Sequence, residues 1–237
     1  MNRVDELLGR VTMYRLVTVV LAVIAAVSFL FSAVGLLDRS IFPLGGMALV
    51  LLVLLVSSVA ASRLLGLVFR VRPHTESAVI TALLMWFLYW PTTDPAMLGW
   101  LAGAAVLANA SKYLLAWRGR HIFKPAAVGA VLVVIIQALA RMEPADRLYT
   151  TWWAASEPLL PFVLVGALLV LRRTHRIGLG AVFVVASALL VFGGLLGLGT
   201  DPVEALKQTF YSYPLVFLAG FMLSEPLTLP PRRAQQY

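Results

Sequence analysis

Eight apolar segments alternate with short polar stretches along the chain. They cover roughly residues 14–37, 44–69, 77–90, 96–117, 126–140, 159–171, 178–199 and 210–224. A helix that crosses the hydrocarbon core of a bilayer needs about 20 residues, which the first, second, fourth and seventh segments provide. The other four reach only roughly 20–22 Å as helices. We therefore predict an all-α integral membrane protein with about eight membrane segments. The short ones are either ordinary helices with ragged ends or re-entrant elements.

The composition agrees with a membrane location. Hydrophobic residues make up 61% of the 237 residues and charged residues 13%, whereas soluble domains average about 25% charged residues. The absence of cysteine excludes disulfides and cysteine-ligated iron–sulfur clusters within this chain. The net charge of +8 is better explained by basic residues flanking membrane spans than by nucleic-acid binding.

The basic residues are distributed unequally between the two sides of the membrane. If all eight segments cross, four of the 19 Lys and Arg residues lie on one side. These four are Arg39, Arg141, Arg147 and Lys207. Because the side rich in Lys and Arg faces the cytoplasm, we expect both termini to be cytoplasmic. The first apolar run is too long for a signal peptide, so we expect it to be retained.

Ionisable side chains, which usually mark transporters and proton pumps, are almost absent from the segment centres. The polar residues best placed inside helices are Asn109, Ser111 and Gln137, which we interpret as helix–helix hydrogen-bonding groups. The three histidines fall in predicted loops, which does not favour a haem held by histidines within helices.

The stretch SKYLLAWRGRHIFKPAA concentrates basic side chains between segments four and five. Arg118, Arg120, His121 and Lys124 precede Pro125, which suits the first turn of the next helix. A helix N-terminus surrounded by basic side chains is an anion site, suited to a phosphate or to the electron-rich edge of a flavin. The alternative is a cytoplasmic loop that only follows the positive-inside rule.

This stretch and a second one, FMLSEPLTLPP at 221–231, resemble two motifs of a known membrane family. The family contains flavin-holding membrane proteins of the Rnf electron-transport complex and of the sodium-pumping NADH:quinone reductase. Its motifs are S-K-Y…G-[KR]-H-[IL]-F-N-P-[AS]-A and F-M-x-[ST]-[DE]-P-[VL]-[ST], in the same order. The N-terminal LLGRVTMYRLV resembles the branch joined to a ferredoxin-reductase-like FAD and NAD module.

The resemblance implies part of a ten-helix fold with a two-fold pseudo-repeat, related to urea and ammonium channels. It implies a flavin-binding electron-transfer protein of the bacterial cytoplasmic membrane, working as part of an oxidoreductase system. The implied partners are the lipid bilayer and either other redox subunits or the reductase module, with no nucleic acid. The implied flavin-site residues are Lys112, Arg118, Arg120, His121, Lys124, Glu225 and Thr228. Glu225 alternatively pairs with an arginine to fix the fold.

Three departures from the family pattern change these expectations. The S-G-A-T motif, whose threonine carries a covalent FMN, is absent, so we expect FMN or riboflavin to bind non-covalently. The asparagine that follows His-Ile-Phe in the family is Lys124 here. Family members continue with further helices, so the resemblance implies a truncated single membrane domain over residues 1–237, without the reductase module.

Two other functions remain open beside flavin-dependent electron transfer. The related fold favours a channel or transporter for a small solute, and a scaffold that assembles other membrane subunits needs no cofactor. The visible absorption spectrum of the purified protein separates the first function from the other two.

Overall fold

Helices make up about three-quarters of the chain that the structure describes. The computed structural model describes residues 12–117 and 120–223. The helices are α1 (Met13–Val34), α2 (Leu44–Val68), α3 (Thr75–Trp86), α4 (Pro95–Leu114), α5 (Pro125–Leu139), α6 (Leu160–Arg173), α7 (Ile177–Gly197), α8 (Pro202–Tyr211) and α9 (Leu215–Phe217). A π-helix, Leu218–Leu223, continues α9. Two short strands, β1 (Ala116–Trp117) and β2 (Arg120–His121), pair in an antiparallel hairpin.

Within the described residues, three helices are long and apolar enough to cross a membrane. They are α1, α2 and α7, which correspond to the first, second and seventh predicted segments. The fourth segment forms α4, which has 20 residues but is rich in alanine and carries Asn109 and Lys112. The all-α membrane class is therefore supported, and the eight-span count stays a prediction.

The described chain divides into two compact units, and the division falls inside α1. The first unit is Leu21–Thr151, and the second contains 12–20 and 152–223 of the described residues. In the first unit, α4 packs against α2, α3 and α5. The approach of α5 to α4 is close, because a Cβ atom built on Gly129 would lie 2.5 Å from the carbonyl oxygen of Ala104. Small residues at such contacts let helix backbones approach each other in membranes.

The third predicted segment is interrupted. Helix α3 ends at Trp86, whose Nε1 donates to the carbonyl of Met47 (3.0 Å). A turn follows, and Tyr89 then forms an antiparallel bridge with Thr150. The side chains of Phe87, Leu88 and Tyr89 are buried. This segment is thus a short helix followed by irregular backbone buried in protein, the condition under which such backbone is tolerated at membrane depth.

In the second unit, the π-helix packs against α6 and α7, and α8 packs against α7. The π-helix approaches α6 closely at Gly220, where an added Cβ atom would clash with the Cβ of Ala167.

Helix α8 begins between the seventh and eighth predicted segments, where the apolar pattern predicts no helix. The Asp201 carboxylate accepts hydrogen bonds from the backbone N–H of Val203 (2.9 Å) and of Glu204 (3.2 Å), and Pro202 occupies the first turn. This cap starts a helix of mixed polarity, which a search for apolar runs does not detect.

Candidate functional site

Lys112 lies in the last turn of α4 and joins that helix to the start of α3. Its Nζ atom donates to the carbonyl oxygen of Ser77 (3.0 Å), to Ser77 Oγ (3.1 Å) and to Asn109 Oδ1 (3.1 Å). An ammonium group has three donors, and these three acceptors match that number. Lys112 was predicted as a flavin-site residue, and in the structure its ammonium contacts protein groups of the first unit.

Asn109, one helical turn before Lys112, is fully buried. Its Nδ2 donates to Ser58 Oγ on α2 (2.8 Å) and to the carbonyl oxygen of Ala105 (2.9 Å). The predicted role of Asn109 in helix–helix hydrogen bonding is therefore confirmed. Asn109 and Lys112 together connect α4 to Ser58 on α2 and to Ser77 on α3. These contacts lie just before the basic stretch between α4 and α5.

The other two polar residues predicted to link helices behave differently. Ser111 Oγ donates to the carbonyl of Ala108 in its own helix (2.7 Å), so the prediction is wrong for Ser111. A short hydroxyl side chain readily reaches the backbone of the preceding turn, which competes with a neighbouring helix. Gln137 Oε1 accepts from the backbone N–H of Leu148 (3.1 Å), which lies in the loop after α5.

The basic stretch between α4 and α5 folds as a β-hairpin. Ala116 pairs with His121 and Trp117 pairs with Arg120, and the backbone N–H of Ile122 donates to the carbonyl of Leu115 (3.1 Å). Strand β2 also contacts α4. The pairing returns the chain directly to the end of α4, so the backbone of Arg120 and His121 lies beside that helix end.

Helix α5 begins immediately after the hairpin. Lys124 is its half-buried N-cap residue and Pro125 occupies its first turn, as the sequence predicted. The carbonyl of Lys124 accepts from the backbone N–H of Val128 (3.0 Å), which closes the first helical turn. The N–H groups of this first turn have no partner within the helix, and they carry the positive end of its dipole.

The structure thus places four of the seven predicted site residues on successive elements of the described chain. Lys112 ends α4, Arg120 and His121 form β2, and Lys124 caps α5. The remaining three, Arg118, Glu225 and Thr228, lie outside the described residues, so the predicted grouping of the two motifs stays a prediction.

A second basic corner lies between α6 and α7. Arg172 and His175 line a recess of about 370 Å³ with Ile177 and Gly178, at the N-terminus of α7. Burial lowers the pKa of Arg176, whose Nη1 atom is buried without a hydrogen-bond partner among the described residues. His175 adopts the left-handed conformation (φ 56°) that forms this corner. The cluster of basic residues is visible in the sequence, but the left-handed turn is not.

No protein-family model matches the chain, and a search of curated proteins finds no relative.

Proposed function

We propose that this chain is the membrane-embedded domain of a flavin-dependent electron-transfer system. The observation that carries the proposal is the hairpin. The stretch that resembles the family motif contains two short paired strands, and the second strand is followed closely by a helix N-terminus. Arg120, His121 and Lys124 lie within five consecutive residues of that N-terminus. Basic groups beside unpaired helix N–H groups favour a phosphate or an electron-rich flavin edge.

The proposed cofactor is a non-covalently bound FMN or riboflavin. The flavin supplies the redox chemistry, while the protein supplies position and electrostatics. In this proposal Arg120, His121 and Lys124 hold the anionic part of the cofactor, and Lys112 supports them by fixing the end of α4 against α3. The electrons come from a reduced cytoplasmic donor, through other redox subunits or a ferredoxin-reductase-like module, and pass to a further carrier.

The proposed topology has eight membrane segments, with both termini in the cytoplasm, as part of the ten-helix channel-related fold. Three observations support it. Helices α1, α2 and α7 are long and apolar enough to cross. The short third segment has the buried, irregular end expected of an interrupted crossing. The basic residues divide unequally between the two sides that this topology defines.

The test is the visible spectrum of the purified protein combined with matched variants. We expect flavin bands near one flavin per chain. Arg120→Gln and His121→Ala should lower flavin content, because close basic groups repel one another at about 1 kcal/mol per pair at 4 Å in water, and an anionic partner relieves that repulsion. Arg173→Gln, at the other basic corner, is the control. If all three variants had the same flavin content, the basic stretch would act only as a topology determinant and the proposal would be wrong.

A channel for a small neutral solute is the second candidate. The observation that favours it is the interruption after α3, because irregular backbone at membrane depth lines a cavity or is buried in protein. A colourless, monodisperse protein that accelerates solute flux into liposomes would favour the channel over the flavin protein.

A further inference from the structure

A groove runs along the exposed face of the second half of α2. Its volume is about 640 Å³, and it is open along its length rather than enclosed. Two rows of side chains line it, each with a spacing of four residues along the helix. The first row is Leu55, Val59 and Arg63, and the second is Val56, Ala60 and Leu64.

The shape of the groove follows from helix geometry. Residues four apart form ridges on a helix surface, and a groove runs between neighbouring ridges. Ala60 deepens the groove, because its methyl group stands between the longer side chains of Val56 and Leu64. These two side chains are 59% and 63% exposed, so the face is not covered by the described chain. Since α2 is a candidate membrane span, hydrocarbon chains are the expected contact of its aliphatic walls.

Among the described residues that line the groove, Arg63 is the one that carries a charge. It is exposed, and within the described chain its guanidinium makes no hydrogen bond or ion pair. It precedes the last residue of α2, Val68, by five positions, or about 7.5 Å along the helix axis. A cation at that depth is unfavourable in hydrocarbon, so we expect the long side chain to extend toward the polar interface, where lipid headgroups lie.

We propose that this groove binds one anionic phospholipid, with an acyl chain along the aliphatic rows and the phosphate on Arg63. The guanidinium is planar and donates two parallel hydrogen bonds to phosphate oxygens. An anionic headgroup such as phosphatidylglycerol fits better than a zwitterionic one, because the choline of phosphatidylcholine brings a second cation to a site that already has one. The site is independent of the proposed flavin chemistry, since it faces away from the polar contacts of Ser58 with Asn109.

The test is native mass spectrometry of the purified full chain, titrated with phosphatidylglycerol or with phosphatidylcholine. Two variants remove different halves of the site. Arg63→Gln removes the charge, and Ala60→Phe fills the groove without entering the core, because Ala60 is exposed. Arg72→Gln is the matched control, since Arg72 is also exposed and lies four residues beyond the end of α2.

We expect Arg63→Gln to weaken binding of phosphatidylglycerol about fivefold, the change for one basic residue near an anionic surface. Ala60→Phe should also weaken this binding, because its ring occupies the groove in which the acyl chain would lie. Arg72→Gln should change it less than about twofold. An equal loss in Arg63→Gln and Arg72→Gln would mean a diffuse surface potential and overturn the site. Unchanged binding in Ala60→Phe would overturn the acyl-chain contact, and equal wild-type affinity for both lipids would overturn the selectivity.

Discussion

Replacement of Lys112 by methionine tests whether its ammonium group holds α3 against α4. Methionine keeps the apolar stem but removes the three hydrogen bonds to Ser77 and Asn109. A hydrogen bond to a charged group contributes about 1.5–3 kcal/mol net, and a buried acceptor left without a donor costs about 1–3 kcal/mol. Asn109 is fully buried, so its Oδ1 becomes a buried acceptor that has lost the Lys112 donor. Because removal of a half-buried ammonium also relieves its desolvation, we expect a loss of about 2 kcal/mol in the free energy of unfolding.

The assay is reversible unfolding of the purified protein in mixed micelles, followed by far-ultraviolet circular dichroism. A double-mutant cycle with Ser77→Ala isolates the contact between Lys112 and the Ser77 hydroxyl, for which we expect a coupling of about 0.5–1.5 kcal/mol. Flavin content is measured on the same samples. If Lys112→Met kept wild-type stability, showed no coupling with Ser77→Ala and lost flavin, Lys112 would be a direct ligand and the anchoring role would be wrong.

Three further predictions test the topology, the cofactor attachment and the helix packing. A Ser40→Cys variant should react with a membrane-impermeant thiol reagent on intact cells and Thr174→Cys should not; the reverse pattern would invert the proposed orientation. Denaturing gels should show no flavin fluorescence on this chain, and a fluorescent band would reveal a covalent attachment. Gly129→Ala should destabilise the protein by about 1–3 kcal/mol, because the new methyl group meets the carbonyl of Ala104. Gly103→Ala, with open space around its Cβ position, should be neutral or stabilising by up to about 1 kcal/mol, and equal thermal shifts for both would contradict the close packing.

The membrane-type helices were predictable because an apolar environment requires a continuous apolar sequence. The second predicted segment, 44–69, differs from α2 (Leu44–Val68) by one residue, and the fifth, 126–140, differs by one residue at each end from α5 (Pro125–Leu139). Helix α8 was missed because its polar and apolar residues alternate around the helix. Its start carries a recognisable signal, an aspartate followed by proline, which the search for apolar runs did not use.

The candidate site was predictable in position but not in its internal contacts. The charges of Arg120, His121 and Lys124 are visible in the sequence, and Pro125 marks the helix that follows. The contact of Lys112 with Ser77 joins residues 35 positions apart, and no local pattern specifies it. The contact of Lys112 with Asn109 is the one that the sequence alone reveals, since residues three apart on a helix are neighbours.

Lys112 and Arg63 show why the positive-inside rule alone does not assign a role to a basic residue. Both lie near the end of a long helix, and the rule treats them alike. Their neighbours one turn away differ. Lys112 lies one turn after Asn109 and donates to Asn109 and Ser77. Arg63 lies one turn after Val59, at the end of a row of aliphatic side chains. Polar neighbours satisfy a cation inside the protein, while hydrocarbon neighbours leave it to the lipid headgroups. Lys112→Gln should therefore lower the free energy of unfolding, and Arg63→Gln should lower phosphatidylglycerol binding. If instead Lys112→Gln weakened lipid binding and Arg63→Gln lowered the free energy of unfolding, the local environment would not decide the role of a basic residue.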